Sequence, residues 1–439
     1  MKKGRSFFPV LLILAIFMVS GFYSGLMGQD QPHANTPPEI YPFSNFQVPH
    51  FRHFEERRPY YGAAREYNYP DASELETVRL GFIGPLDGAH EYYTMNGQHM
   101  LQGTKLAIEE ANKKGGYNGI PFELIARNDI GLWGASGDEM VALDDMGVFA
   151  VVGSIDGNNS HIAIRVALKL ELPMVNTGST DPTLTDTRIP WVVRTNPDDR
   201  QFNYAILNEI YNKREYTRVA LLRANSRYAR VGTREFIDGA RRLGNPVTIR
   251  QVYYLGETNF DAYLENIRQA DVEAVVLWGE VDEIARIVTQ MRESGMEQPV
   301  FTSDKVVSDL FLELAGEHAE GVIATFPYNP DLLGEDYNRF VENYRERFGE
   351  DPNWFAVHAY DGARFLLESI EKAGLNRALI RDEITSVKQF SGITGDIILD
   401  DSWNSISPVW LAEYQDGGYT FWQYQWISNR ENQQTPSDQ

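Results

Sequence analysis

Cysteine is absent from all 439 residues, so neither a disulfide framework nor a lipid-modified N-terminal cysteine is available. Basic residues are scarce too, because 40 lysines and arginines stand against 62 aspartates and glutamates, giving a formal net charge of −22. Such an acidic chain disfavours binding to nucleic acids or anionic membranes. We therefore expect a fold held together by packing alone, with no nucleic-acid partner.

Familiar enzyme signatures are missing as well. The sequence has no G-x-S-x-G, H-E-x-x-H or G-x-x-x-x-G-K-[ST] motif and no cysteine nucleophile, and GFIGPLDG (81–88) does not complete a dinucleotide-binding pattern. His50 and His53 lack further metal ligands beside them, so we interpret them as surface residues. We therefore expect no enzymatic activity, no cofactor and no metal site.

The sequence begins with three basic residues followed by an apolar run over residues 7–19, which is the pattern of a secretory signal. We assign residues 1–28 to this export segment, with an uncleaved membrane anchor as the alternative. Either reading predicts a periplasmic or other extracytoplasmic protein. Residues 29–75, rich in proline and tyrosine, are interpreted as an extended leader, and residues 426–439 as a disordered tail.

From residue 78 onward, short β-branched runs alternate with segments of helical periodicity, which predicts parallel sheets flanked by helices. Nine strands are predicted, at residues 78–84, 122–127, 148–153, 173–176, 218–223, 247–254, 274–278, 299–302 and 321–325. Later helices are predicted over 337–348 and 354–373, and a hairpin turning at 416–418 ends a sheet. Because the βα series occurs twice, the predicted fold class is α/β with two similar lobes, each a doubly wound, mostly parallel sheet flanked by helices.

Small polar residues follow several of the predicted strands. In the stretch VVGSIDGNNS the β-branched run stops, and Asp156, Gly157 and Asn158 precede a helix expected to begin near His161. Ligands of open α/β sheets bind at the carboxyl ends of strands, and a helix N-terminus favours an anion. This loop is therefore a candidate ligand site.

Other predicted strands lead into comparable loops. The strand over 173–176 is followed by Gly178, Ser179 and Thr180, a second polar cluster on the same sheet edge. In the other half, strands lead towards Tyr228 and towards Asp304, whose carboxylate is suited to a ligand ammonium. Two neighbouring clusters on one edge favour a binding site over isolated helix caps.

Helix capping is nonetheless an alternative role for some of these residues. Asn159 or Ser160 has the right chemistry to cap the helix expected near His161, and Asp304 to cap one beginning near Val306. Both interpretations stay open from the sequence.

Taken together, these residues resemble the type I periplasmic solute-binding proteins of ABC transporters, in particular the branched-chain amino-acid (Leu/Ile/Val) binding family. The likeness covers nearly all of residues 76–425. Its segments are GFIGPLDG (81–88), GTKLAIEEANKKGGYNG (103–119), VVGSIDGNNS with ELPMVNTGSTDPTLTD (171–186), and LWGEVDEIARIVTQMRESGMEQPVFTSD (277–304). The family lacks a leader like residues 29–75.

The resemblance implies a periplasmic-binding-protein fold of two hinged lobes that close on a solute. Its three crossings between lobes would fall near 194–197, 326–329 and 395–403. Lobe 1 would then comprise residues 76–195 plus 329–398, and lobe 2 residues 197–326 plus 401–425.

The resemblance also implies where a ligand carboxylate would be held. Amino-acid binders of this family use a serine after the third strand and a Gly-Ala/Ser-Thr loop after the fourth, and the loop matches Gly178, Ser179 and Thr180. The serine position falls on Gly157, preceded by Asp156, so a side-chain hydroxyl is missing there. Without this hydroxyl, the resemblance gives weaker support for recognition of a ligand carboxylate.

The remaining implied roles lie mostly in lobe 2. The family's aromatic cover matches Tyr228, its ammonium-binding acid matches Asp304, and Glu280 stands where some members carry a tyrosine. Tyr92 and Tyr93 would add an aromatic wall. The expected ligand-binding set is therefore Tyr92, Asp156, Gly157, Asn158, Gly178, Ser179, Thr180, Tyr228, Glu280 and Asp304. Three acids around one cleft suit a ligand with an amine or several hydroxyl groups, unless some of them point to water.

The sequence thus predicts a monomeric, non-enzymatic binding protein that captures a small polar solute, such as an amino acid, in the cleft between its lobes. Its expected partner is the ABC permease of an importer. The alternative is a ligand-sensing receptor domain that uses the same fold and signals to a membrane partner.

Overall fold

The computed structural model describes residue 37, residues 63–67 and residues 69–426. The predicted export segment, His50, His53, most of the leader and the tail beyond residue 426 lie outside the described residues. The described end of the leader contains a short helix, α1 (Ala63–Glu66), and a 3-10 turn, Ala72–Glu74, so it is not uniformly extended as predicted. No helix within the described ranges combines the length and the apolar character that a bilayer crossing needs.

Five parallel strands form the first sheet, which defines lobe 1. They are β1 (Val78–Gly84), β2 (Phe122–Asn128), β3 (Val151–Gly153), β4 (Met174–Asn176) and β5 (Val192–Arg194). Their order is β2-β1-β3-β4-β5, so the strand order reverses between β1 and β3, where the carboxyl ends open a crevice. The helices that accompany this sheet are α2 (Glu91–Lys113), α3 (Ala135–Asp145), α4 (Gly157–Leu170), α5 (Thr183–Asp186), α11 (Glu335–Phe348), α12 (Trp354–Ala373) and α13 (Arg377–Ser386).

Seven strands form the second sheet, which defines lobe 2. They are β6 (Val219–Ala224), β7 (Ile249–Tyr253), β8 (Ala274–Trp278), β9 (Val300–Thr302), β10 (Val322–Phe326), β13 (Trp410–Gln415) and β14 (Gly418–Gln423). Their order is β14-β13-β10-β9-β8-β6-β7, and β13 runs antiparallel to both of its neighbours. The accompanying helices are α6 (Asp199–Leu207), α7 (Arg227–Arg242), α8 (Asp261–Gln269), α9 (Val281–Glu293) and α10 (Asp309–Ala315). A separate hairpin pairs β11 (Gln389–Gly392) with β12 (Gly395–Ile398).

Burial on both faces explains the composition of the central strands. All five residues of β8, AVVLW, are fully buried, because helices cover both sides of a parallel sheet. The sequence pattern of continuous β-branched runs therefore predicted the central strands well. β1 and β8 have the predicted bounds, and the other predicted strands are displaced by three residues or fewer at either end.

The sequence prediction was wrong about β5, the start of α4 and two caps. No strand was predicted over Val192–Arg194, but these residues pair with β4 as β5. Helix α4 begins at Gly157 rather than near His161, and Asp156 caps it by accepting the N–H groups of residues 158 and 159 at 2.9 and 3.1 Å. Neither Asn159 nor Ser160 is the cap.

The capping alternative for Asp304 was wrong as well. Asp304 is the first residue of a 3-10 turn, Asp304–Val306, and the longer helix α10 begins at Asp309 with Ser308 as its N-cap. The Asp304 carboxylate is therefore not consumed by a helix end.

A buried arginine joins two of the segments that connect the lobes. Arg194, at the end of β5, is fully buried, and its backbone bonds to residues 403 and 405 at 2.9 and 3.0 Å. Its guanidinium donates to Asp198 Oδ2 and Asn404 Oδ1, both at 2.8 Å, and to the carbonyl oxygens of residues 179 and 181. Arg194 therefore positions the Gly178–Asp181 loop as well as the connecting segments.

Replacing Arg194 with methionine breaks the shorter of the two buried ion pairs of Asp198 and leaves only Arg200, 3.4 Å away, as its cation. We expect the free energy of unfolding to fall by about 3–5 kcal/mol in urea denaturation, the usual cost of breaking a buried ion pair. The control is Arg345→Met, which removes an exposed pair with Asp351 and should cost less than about 1 kcal/mol. Equal small losses in both variants would contradict the structural role given to Arg194.

Candidate functional site

A small cavity lies between the two lobes, at the carboxyl ends of both sheets, with a volume of about 30 Å³. Lobe 1 and lobe 2 both contribute to its wall. The lining residues are Tyr92, Tyr93, Ile155, Asp156, Gly157, Gly178, Ser179, Thr180, Asp181, Asp199, Arg227, Tyr228, Val231, Asp304, Lys305, Trp354 and Phe355. The ends of strands from two separate sheets thus converge on one space.

Most of the residues chosen from the sequence lie in this wall. Those that line the cavity are Tyr92, Asp156, Gly157, Gly178, Ser179, Thr180, Tyr228 and Asp304. Asn158 does not line it, and its backbone N–H is used by the Asp156 cap. Glu280 does not line it either, because it caps α9 and pairs with Lys305.

The two lobe 1 loops are held together by Asn176, the last residue of β4. Its side chain donates to the Ser154 carbonyl oxygen at 3.1 Å and accepts the N–H of Ser179 at 3.0 Å. Gly157 is required beside these loops, because a Cβ there would lie 2.8 Å from Asp181 Oδ2. The serine implied by the family resemblance at this position would therefore collide with the Asp181 side chain.

Asp181 joins the lobes through a satisfied ion pair. It accepts hydrogen bonds from Arg227 Nε at 3.0 Å and from the Thr183 hydroxyl at 2.7 Å, and His161 Nε2 lies 3.5 Å away. Burial alone would raise the pKa of Asp181, but His161, Arg227 and Thr183 together hold it well below its usual range. Asp181 is therefore a fixed anion whose charge is already matched.

Two other carboxyl groups at the cavity are not matched in this way. Asp304 is 2% exposed, its Oδ1 has no hydrogen-bond partner among the described residues, and burial raises its pKa to about 6 against the opposing charge of Lys305. Burial, followed by the charge of Asp304, raises the pKa of Asp199 well above its usual range, with Thr180 opposing the rise. The two acids repel each other, so this corner attracts a cation.

Tyrosines and one lysine form the adjoining wall. Lys305 Nζ lies 3.9 Å from the ring centre of Tyr228 and 4.9 Å from those of Tyr92 and Tyr93. It donates to Glu280 Oε2 at 2.6 Å and to Tyr93 Oη at 3.1 Å, and the Tyr93 hydroxyl donates to Glu280 Oε1 at 3.2 Å. Tyr93 belongs to lobe 1, whereas Lys305 and Glu280 belong to lobe 2. This cluster therefore also joins the lobes.

Sequence reasoning missed the cationic and several aromatic residues of the wall. Arg227 and Lys305 stand next to Tyr228 and Asp304, so their position in strand-end loops was the signal that could have found them. Trp354 and Phe355 lie in the first turn of α12, whose bounds were predicted, but neither was singled out as a site residue. Asp199, at the start of α6, was not identified from the sequence because no motif or predicted strand end marks it.

This fold and cleft have the architecture of a two-lobed solute-binding protein. The chain belongs to the periplasmic binding protein family, whose model matches residues 77–419. The predicted α/β fold of type I periplasmic binding proteins is thereby confirmed.

Named relatives show the same similarity. The chain is 28% identical over 361 residues to the Leu/Ile/Val-binding protein homolog 2 of Brucella abortus, covering 79% of this chain and 93% of the relative. A leucine binding protein structure from Thermotoga maritima has 26% identity and a TM-score of 0.71, covering 79% and 97% of the two chains. The substrate binding protein LivJ of Streptococcus pneumoniae, solved with isoleucine, has 22% identity and a TM-score of 0.72, covering 79% and 100%, which shows the fold alone.

The unmatched carboxylate of Asp304 should cost stability in the ligand-free protein. We expect Asp304→Asn to raise the free energy of unfolding at pH 7.5 by about 1–3 kcal/mol, measured by urea denaturation. Because burial raises the pKa of Asp304 in the folded state to about 6, above that of an unfolded aspartate, the folded state binds this proton more tightly, so the gain should be present above pH 6 and vanish below about pH 4.

The matched control is Asp138→Asn, an exposed aspartate on α3, which should change stability by less than about 0.5 kcal/mol. A destabilised Asp304→Asn protein at pH 7.5 would show that the carboxylate is compensated in the ligand-free state.

Proposed function

We propose that this protein is the extracytoplasmic solute-binding component of an ABC importer and captures a small amino acid or related compound by closure of its two lobes. The observation that carries the proposal is the inter-lobe cavity, where burial raises the pKa of both Asp304 and Asp199 beside a tyrosine wall, so that a ligand cation would stabilise their ionised forms. The names of the relatives, which include amino acid binding proteins, support the same solute class.

In this proposal the ammonium group of the solute lies between Asp304, Asp199 and the Thr180 hydroxyl. The cation lowers the free energy of both carboxylates, which burial otherwise makes unfavourable. The ring of Tyr228 covers the ammonium as a cation–π partner, and the Gly178–Thr180 loop faces the solute carboxylate. Affinity therefore comes mainly from charges that only a ligand completes.

Closure follows from contacts that exist only when the lobes meet. Arg227 of lobe 2 holds Asp181 of lobe 1, and Tyr93 of lobe 1 holds the Lys305–Glu280 pair of lobe 2. A solute that touches both lobes binds the closed state better than the open one and so shifts the population towards it. A transporter that recognises the closed outline then receives loaded protein.

Each lobe also exposes apolar side chains in a loop at the carboxyl end of an edge strand, and these are the proposed contacts with the permease. Leu132 and Trp133, 59% and 67% exposed, follow edge strand β2, and Tyr254 and Leu255, 73% and 55% exposed, follow edge strand β7. Exposed apolar groups of this kind mark interaction surfaces. A membrane partner that contacts both loops would distinguish the open from the closed arrangement of the lobes.

Loss of the ammonium contacts should abolish tight binding. We expect Thr180→Ala to weaken amino-acid binding by about 1–3 kcal/mol in isothermal titration calorimetry, and Asp304→Asn by at least as much. In the unmodified protein, affinity should fall as pH drops through about 6, because protonated Asp304 no longer attracts a cation.

The control for these titrations is Asp138→Asn, which should bind as the unmodified protein does. Small-angle scattering should show a smaller radius of gyration of the protein after addition of an amino acid that binds to it. Unchanged affinity in both site variants, or an unchanged outline with every bound solute, would refute the proposed mode of binding.

The permease contacts are tested separately from solute binding. We expect the double variant Trp133→Ser and Leu255→Ser to keep its solute affinity and to lose most of its stimulation of the cognate importer's ATPase activity in proteoliposomes. The control is Leu332→Ser, a 67% exposed leucine distant in sequence from both loops. Full stimulation by the double variant would rule out these loops as the contact surface.

A further inference from the structure

We infer that the cleft selects amino acids with a short, neutral side chain that both donates and accepts hydrogen bonds, a hydroxyl or a carboxamide, and discriminates against branched aliphatic side chains. The inference rests on the proposed function and adds the substrate class. It is carried by Lys305, Tyr93 and Asp156, which line the cavity, and by Glu280, which lies outside the lining and pairs with Lys305.

The first step is the presence of a buried ion pair beside the cavity. The side chains of Lys305 and Glu280 are 6% and 12% exposed and lie 2.6 Å apart. An aliphatic ligand side chain against this pair would remove its remaining hydration and offer no hydrogen bond in return. Leucine or valine would therefore bind at a cost that a hydrogen-bonding side chain avoids.

The second step is the hydrogen-bonding capacity that the cluster retains. An ammonium has three donors, and those of Lys305 found within the described residues go to Glu280 and Tyr93, leaving a third for a ligand oxygen. Both N–H bonds accepted by Asp156 fall on Oδ2, so Oδ1 remains as an acceptor at the cavity. A donor and an acceptor together fit a hydroxyl or a carboxamide.

The third step is the balance of charge around the cluster. A cationic ligand side chain would be repelled by Lys305, and an anionic one by Glu280 and Asp156. Adding either charge would also disturb the Lys305–Glu280 pair, which is matched as it stands. A neutral side chain is compatible with both signs.

The fourth step is size. Four aromatic side chains, Tyr92, Tyr93, Trp354 and Phe355, line the cavity. Lys305 itself extends over three of the tyrosine rings in the wall. A short side chain is therefore favoured over a long one.

The test compares isosteric pairs of amino acids, so that shape is held constant while polarity changes. Threonine against valine and asparagine against leucine are titrated into the full protein by calorimetry, with lysine and glutamate as charged probes. We expect the polar member of each pair to bind at least about tenfold tighter than its apolar partner, and both charged probes to bind more weakly than asparagine.

A double variant, Lys305→Met with Glu280→Leu, replaces the ion pair by apolar groups and should reverse the preference within each pair. The control is Arg268→Met with Glu265→Leu, an exposed ion pair on α8, which should keep the original order. The comparison in the unmodified protein decides the inference by itself if the double variant does not fold.

Two results would overturn the inference in different ways. Tighter binding of valine or leucine, or of a charged probe, would refute the selectivity but leave the proposed function standing if Asp304→Asn still abolished that binding. Failure of every amino acid to bind would remove the proposed function and the inference together.

Discussion

Carboxylates that are buried without a cation set the character of this cleft. A charge removed from water is unfavourable unless a partner and hydrogen bonds replace the water, and Asp304 lacks a partner for one of its oxygens. A residue that served packing alone would not be expected to carry such a group in a protein interior. Asp304 lies where the two lobes meet, and in the proposed function a ligand supplies the missing charge there and brings the lobes together.

The contrast with neighbouring acids shows which charges belong to the scaffold. Asp181 has Arg227, Thr183 and His161 as partners, and Asp198 has Arg194 and Asn404. Both groups are satisfied without a ligand, and they hold the Gly178–Asp181 loop and the connecting segments in place. The unmatched acids therefore lie in a frame built by matched ones, which keeps their geometry fixed although their own charges oppose it.

Sequence reasoning succeeded where local burial decides the structure and failed where distant partners do. The central strands and α12 were predictable because continuous β-branched runs and helical stripes reflect burial on known faces. The cap of α4 was misassigned because it depends on where the helix begins, and Asp156 precedes that point. Lys305 was missed because only its contacts with Glu280 and Tyr93, far apart in sequence, bring its ammonium to the cavity.

The same distinction explains why similarity to known proteins fixes the fold more firmly than the solute. Core positions are constrained by close packing along both sheets, so a chain 28% identical to a relative still forms the same two lobes. Cleft positions are constrained mainly by the ligand, and a few of them suffice to change its chemistry. Lys305 and Glu280 place a charged pair beside the cavity, and an aliphatic side chain cannot compensate either charge. The chemical class of the solute therefore depends on these side chains more than on overall similarity to named relatives.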